Sequence, residues 1–274
     1  MRIGIMTDME GLAGVDDWEQ CYATDANDPR YLHGLAQLAA DTNATIAGCF
    51  DAGATEVVVW DGHGRNGQQA FTRVSLDSRA TLKKLVRGNP VKLDGLDETM
   101  AGVLMVGQHA MAGTLHGFLD HTQQPKVICR YWINGVEHGE LSQFALHCGA
   151  FGVPLLHVSG DEALCAETAR LFPWVKSTPT KRGTGWATCE LPDPAEVRAA
   201  IRRDVAAAIT DRPAARPWTQ PAPISVSVEY AYSALADERA VIPGVRRPHA
   251  RTVEWTIPDA RFIYNWPAAD WQPA

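Results

Sequence analysis

The stretch MTDMEGLA, residues 6–13, sets two carboxylates, Asp8 and Glu10, one residue apart, directly after the apolar run RIGI. Two other apolar runs end in the same manner. VVVWDGHG brings in Asp61 and His63, and VLMVGQHA brings in His109. Glu140 arrives from NGVEHGE, at the junction between a hairpin pattern and a helix pattern. Imidazole and carboxylate in mixture suit Zn²⁺ or a similar borderline cation. Asp8, Glu10, His63, His109 and Glu140 exceed the three protein ligands usual for one catalytic zinc. Two metals sharing a carboxylate explain them better, and Asp8, short and nearest a strand end, is the natural bridge. Such ions, about 3.5–4 Å apart, activate a water and clamp both oxygens of a displacement.

Each residue also has a plainer reading. Asp-Gly favours tight turns, so Asp61 reads as a turn residue rather than a ligand. His33, His138, His147, His157 and His249 read as structural. Asp8 and Glu10 alone are as consistent with a loop as with a ligand pair. The metal reading rests on the joint placement of the residues.

That placement requires a particular fold. RIGIMT (2–7), EVVVW (56–60) and GVLMVG (102–107) are buried-strand patterns. Between the first two, Asp28-Pro29 opens a helix, apolar residues follow at helical spacing, and Gly53 ends it. Strand, helix, strand with short links is a βαβ unit and implies a parallel sheet. Ligands bind outside the carboxyl edge of such a sheet, so residues far apart in sequence converge there. KVICRYWINGVEHGE (126–140) reads as a hairpin turning at Asn134-Gly135. A short helix, a strand over 154–160 and a helix capped by Asp161 follow. Another helix starts at Asp193-Pro194. TLKKLVRG (81–88) fits strand or helix. The expected fold is α/β, a mainly parallel sheet with helices on both faces and the metal site at the strand carboxyl ends. A smaller mixed α+β region is expected over 212–274, after the proline-rich RPAARPWTQPAP, leaving 1–211 as the catalytic domain.

Of 274 residues, 46% are hydrophobic, enough for a core without staples. A net charge of −7 argues against a nucleic-acid surface or a polybasic membrane patch. The six cysteines form no C-x-x-C pair and read as reduced core thiols. With no signal-peptide pattern and no apolar run of about 20 residues, the expected location is cytoplasmic.

The motifs DMEG (8–11), DGHG (61–64), GQHA (107–110), DHT (120–122) and NGVEHGE (134–140) together resemble the D-aminopeptidases, a family of dinuclear zinc peptidases. VSGD (158–161) and IPG (242–244) extend the resemblance over most of the chain. It implies two Zn²⁺ per chain, held by Asp8, Glu10, His63, His109 and Glu140 with Asp8 shared. It implies a catalytic role for His121, a homo-oligomer of the decameric kind, and release of N-terminal D-amino acids from short peptides. The His109–His121 segment is one residue longer than the family pattern, which makes His116 a rival for the catalytic role. TKRGTGWA (180–187) keeps Lys181, a candidate for substrate binding, but carries Trp186 where the family stretch carries arginine. In this reading one metal anchors the free α-amine and polarises the carbonyl while the other activates water. His121 stabilises the oxyanion or moves a proton. Two other readings compete. A dinuclear phosphoester hydrolase would want several cations near the site, and only Arg130, Lys181 and Arg182 offer themselves. A non-catalytic metal-binding assembly protein would want a closed, cysteine-rich site.

Overall fold

The computed structural model describes residues 1–63 and 70–267. In chain order the elements are β1 (Arg2–Thr7), α1 (Trp18–Tyr22), α2 (Pro29–Asp51), β2 (Glu56–Asp61), β3 (Ala80–Lys83), β4 (Leu85–Val86), β5 (Lys92–Leu93) and β6 (Met100–Gln108). Then come β7 (Ile128–Ile133), β8 (Val136–Glu137), α3 (Glu140–Gly149), β9 (Leu155–Asp161), α4 (Glu162–Leu171), β10 (Lys176–Gly185) and β11 (Thr188–Glu190). The chain continues with α5 (Pro194–Thr210), β12 (Ile224–Tyr230), α6 (Ser233–Ala240), β13 (Arg246–His249) and β14 (Thr252–Ile257).

Seven strands form the main sheet in the order β11-β10-β9-β6-β1-β2-β3. All its pairings are parallel except β10 with β11. The continuous apolar runs follow from burial on both faces. Ile3, Ile5, Val57, Val59, Leu104 and Val106 face a core shared with Leu35, Leu38 and Ile46 of α2 and Ile201 and Val205 of α5. Their neighbours Val58, Trp60, Val103 and Met105 face the opposite core, with Leu141 and Phe144 of α3 and Leu164 of α4. This is the expected α/β fold with helices on both faces.

A second, antiparallel sheet runs β13-β14-β12-β7-β8. Ile224, Val226, Val228 and Tyr230 are buried and alternate with half-exposed residues, so only one face meets a core. The hairpin turns at Asn134 and Gly135, both at positive φ (48° and 79°), as a tight two-residue turn demands. β7 pairs with β12 from beyond the proline-rich link. The 211/212 division therefore separates stretches of chain rather than sheets. TLKKLVRG resolves into β3 and β4, the first of them the edge of the main sheet. Helix α2 runs as expected from Asp28, whose side chain accepts from the Arg30 N–H, to a turn with Gly53 at φ 82°. Gly64 of DGHG and the C-terminal AADWQPA lie outside the described residues.

Candidate metal centre

Parallel register brings the three strand ends level. Thr7 pairs with Asp61 on one side and with Val106 on the other, and the Asp8 N–H donates to Val106 O at 2.8 Å. Beyond this line β1 delivers Asp8 and Glu10, β2 delivers His63, and β6 delivers His109. Glu140 comes from the side, as the first residue of α3, where the helix N-terminus favours a carboxylate. It accepts the Gln123 N–H at 2.7 Å. Asp61, read as a turn residue, accepts the Ala70 N–H at 2.6 Å and holds the chain after β2.

His121 reaches the same place on the loop after β6. Asp120 accepts the Gly113 and Thr114 N–H groups within that loop. Asp161, at the end of β9, accepts the Phe118 N–H at 2.8 Å. The Leu119 N–H donates to Trp186 O at 2.6 Å. Leu119 and Gln123, flanking His121, take positive φ (52° and 63°), a conformation non-glycine residues adopt only when the surroundings impose it. His116, on the same loop, is exposed, whereas His121 is 5% exposed and sits in the cluster.

The ligating atoms form two trios, Asp8–Glu10–His63 and His109–His121–Glu140, each with one donor atom per residue within 4.8 Å of the others. Asp8 faces both. Its Oδ1 is 2.9 Å from His63 Nδ1 and its Oδ2 is 3.5 Å from His109 Nε2. Glu10 Oε2 is 3.5 Å from His63 Nδ1, and Glu140 Oε1 is 3.4 Å from His109 Nε2 and 3.8 Å from His121 Nε2. The His109 and His121 rings stack at 3.7 Å.

Each histidine turns its other nitrogen to a backbone carbonyl. His63 Nε2 lies 3.1 Å from Cys21 O, His109 Nδ1 3.0 Å from Ala110 O, and His121 Nδ1 2.8 Å from Leu119 O. A carbonyl can only accept, so these nitrogens carry the N–H. The inward nitrogens then present lone pairs, as metal ligands do. A lone pair facing a carboxylate is unfavourable unless a proton or a cation lies between them. His109 Nε2 is buried and makes no hydrogen bond, and Glu10 is fully buried beside Asp8. Orphaned donors and crowded buried acids therefore fit divalent cations shared through Asp8.

The protonation pattern carries the same strain. Burial, reinforced by the charge of Glu10, lifts the Asp8 carboxyl to about 7. Burial pulls the His63 imidazole down, but Glu10 and Asp8 outweigh it and hold it well above its usual value. Burial acts on His109 likewise, and Glu140, Glu10 and Asp8 hold it well above its usual value. Burial, with the charge of His109, lowers His121 below its usual value, so near neutral pH it is free to accept a proton.

Lys181 does not reach into this cluster. Its buried ammonium donates to Glu10 O at 2.5 Å and Val15 O at 2.6 Å, and Thr180 Oγ1 donates to Gly11 O at 2.6 Å. β10 thus braces the loop that carries Glu10 from behind. The same ammonium lies over the Phe118 ring at 4.5 Å.

One residue of the cluster stands outside the sequence motifs. Tyr22 ends α1, in a stretch read as polar loop. Its hydroxyl donates to Glu10 Oε1 and lies 3.4 Å from His121 Nε2. Burial first, then Glu10 and Asp8, raise its pKa far above the ordinary phenol, so it stays a donor. The signal was present: Asp17 and Gln20 form a capping box that opens α1.

A family model described as D-aminopeptidase, peptidase M55, matches residues 1–269. The chain is 27% identical over 269 residues to a D-aminopeptidase of Bacillus subtilis strain 168, covering 97% of this chain and 94% of that protein. The structure is similar, with a TM-score of 0.85 and 26% identity, to that of the Zn-dependent D-aminopeptidase DppA from Bacillus subtilis, described as a self-compartmentalizing protease. That match covers 96% of this chain and 94% of the other.

Proposed function

The chain belongs to the M55 D-aminopeptidase family and is a metal-dependent aminopeptidase, and from that premise we propose that it releases N-terminal D-amino acids from short peptides at a centre of two zinc ions. The observation that carries the dinuclear reading is the double engagement of Asp8, one oxygen toward each trio. The zinc dependence of the structurally similar enzyme supports the choice of ion.

In this reading Glu10 and His63 would hold one ion and His109 and Glu140 the other, with Asp8 shared between them. Bound zinc would supply Lewis acidity and bring a coordinated water to a pKa of about 7. The chain does the rest. His121, fixed through Nδ1 on Leu119 O, aims Nε2 into the cluster and takes a proton or stabilises the developing oxyanion. Tyr22 holds Glu10 in place and sets a neutral donor beside His121. Lys181 and Thr180 fix the Glu10 loop, so the first carboxylates need no rearrangement. A free N-terminal amine is the anchor, which makes the enzyme an exopeptidase.

The self-compartmentalizing character of the similar enzyme supports a homo-oligomer here, in the decameric form expected of the family. Leu115 and Val241, 81% and 82% exposed, are apolar groups that subunit contacts would cover. No helix among the described residues is long and apolar enough to cross a membrane.

The test is metal analysis together with a release assay on paired D- and L-alanyl dipeptides. Two zinc ions per chain and cleavage of D-alanyl peptides, but not of their N-acetylated forms, are expected. Active protein carrying one ion removes the dinuclear centre. Equal cleavage of acetylated peptides removes the aminopeptidase assignment.

A further inference from the structure

A continuous aromatic strip leads from the metal cluster to solvent. Tyr22 packs on His63 at 5.0 Å between ring centroids and edge-on to His121 at 6.4 Å. Trp18, one turn earlier on α1, stacks on Tyr22 at 4.0 Å and 21°. Trp186, from the β10–β11 turn, meets Trp18 at 5.4 Å. Trp186 is 46% exposed, although its Nε1 donates to Asp120 O at 3.2 Å. A large aromatic side chain anchored by its N–H and left half in water offers a ring for something to pack on. At the outer end Lys126 Nζ lies 5.5 Å from the Trp18 ring centroid. Lys126 is exposed and makes no ion pair among the described residues, whereas many of the surface cations do.

We propose that Trp18, Trp186 and Lys126 form the subsite for the part of the peptide beyond the scissile bond. The rings take an apolar or aromatic side chain on the second residue, and Lys126 takes the free C-terminal carboxylate. This rests on the aminopeptidase reading and adds the substrate class: short, free-acid peptides with an aromatic second residue. The dimensions agree. Each ring-to-ring step is 4–5.4 Å, and an extended peptide covers about 3.5 Å per residue. An extended peptide of about four residues with its amine at the metals thus brings its carboxylate toward Lys126. The charges agree as well: three acids surround the amine end, and an unpaired cation waits at the other.

The experiment measures kcat and KM of the zinc-loaded enzyme on the tetrapeptide D-alanyl-phenylalanyl-glycyl-glycine, its C-terminal amide and D-alanyl-triglycine. Wild type is expected to favour phenylalanine over glycine by roughly 3- to 10-fold in kcat/KM, the size of one aromatic contact. Free acid over amide should be favoured by up to about fivefold, the size of one exposed charge pair. Both preferences should sit in KM. Trp18→Ala and Trp186→Ala should bring the phenylalanine-to-glycine ratio close to one, and Lys126→Met should do the same for the acid-to-amide ratio. Equal kcat/KM for all three substrates in wild type overturns the subsite and leaves the aminopeptidase standing. If no substrate is cut, it is the aminopeptidase reading that falls. A Trp186→Ala enzyme whose kcat drops alike on both free-acid peptides, with the ratio kept, makes Trp186 a brace of the His121 loop and overturns its place in the subsite. Lys126, exposed and remote from the cluster, tests the other end independently.

Discussion

At the scale of single residues the central fact is that Asp8 turns one oxygen to His63 and the other to His109. On the dinuclear reading, loss of Asp8 therefore affects both ions. Asp8→Ala should lower both zinc occupancies, and Glu10→Ala mainly one. Elemental analysis of the two proteins distinguishes them, and equal losses would remove Asp8 as the bridge. On the proposed reading His121 serves the reaction rather than ion retention, and Tyr22 supports the ligand Glu10. His121→Ala should keep its zinc and lose roughly 10²–10⁴ in kcat with little change in KM. His116→Ala, on an exposed side chain, should do far less. Tyr22→Phe removes the donor on Glu10 and should cost about 10- to 100-fold in activity or metal affinity, as partners of metal ligands do. Unaltered kinetics and zinc content in Tyr22→Phe would make that hydroxyl a bystander. Asp8, Glu10, His63, His109 and Glu140 were legible in sequence because each follows a strong apolar strand or opens a helix. Tyr22 is harder to read, because the capping box marks only the start of its five-residue helix, which is too short to show a period.

At the scale of elements the question is how so short a helix is held at the cluster. α1 crosses α2 at Gly34, where an added Cβ would collide with the Gln20 carbonyl oxygen, and the backbone has little room to retreat. Gly34 also sits mid-helix, where glycine costs about 1 kcal/mol relative to alanine. In an ordinary exposed helix Gly34→Ala would thus stabilise. Here it should destabilise and displace α1, carrying Trp18 and Tyr22 off the site. Weakened tryptophan fluorescence contrast on unfolding, a lower Tm and reduced activity with β-sheet content retained are the expected readouts. A raised Tm with full activity would show that the crossing relaxes freely. Gly11 plays the equivalent part in the DMEG loop, since its Cβ would strike the Gln108 carbonyl oxygen at the end of β6. α2, β1, β2, β6 and the hairpin were readable because caps, periodicity and Asn134-Gly135 are local signals. The membership of β7 and β8 in the second sheet was not. The partner of β7, β12, lies across the proline-rich link, and no local pattern records a pairing over such a separation.

At the scale of the whole molecule, acid should destabilise the fold through buried histidines that are not among the candidate ligands. Burial holds His138, His147 and His157 each down to about 4. In the unfolded chain they titrate at about 6.5. Between those values the unfolded state binds the proton and the native state does not, so stability rises with pH there and falls as pH drops from 6.5 to 4. Below about 4 both states carry the proton and the contribution is flat. Each such histidine contributes on the order of 1 kcal/mol per pH unit within the window. His147 isolates the effect. It is 1% exposed on α3 and packs against Phe151 at 5.7 Å and Tyr264 at 5.2 Å, a setting that takes a phenyl ring. The metal ligands and exposed acids titrate identically in wild type and in His147→Phe, so the difference between the two cancels them. Urea unfolding at pH 7 and pH 5 should show His147→Phe gaining on wild type by roughly 1–2 kcal/mol at the lower pH. Parallel pH dependences would mean that His147 takes up its proton inside the fold, with Asp259 near enough to stabilise the charge against burial.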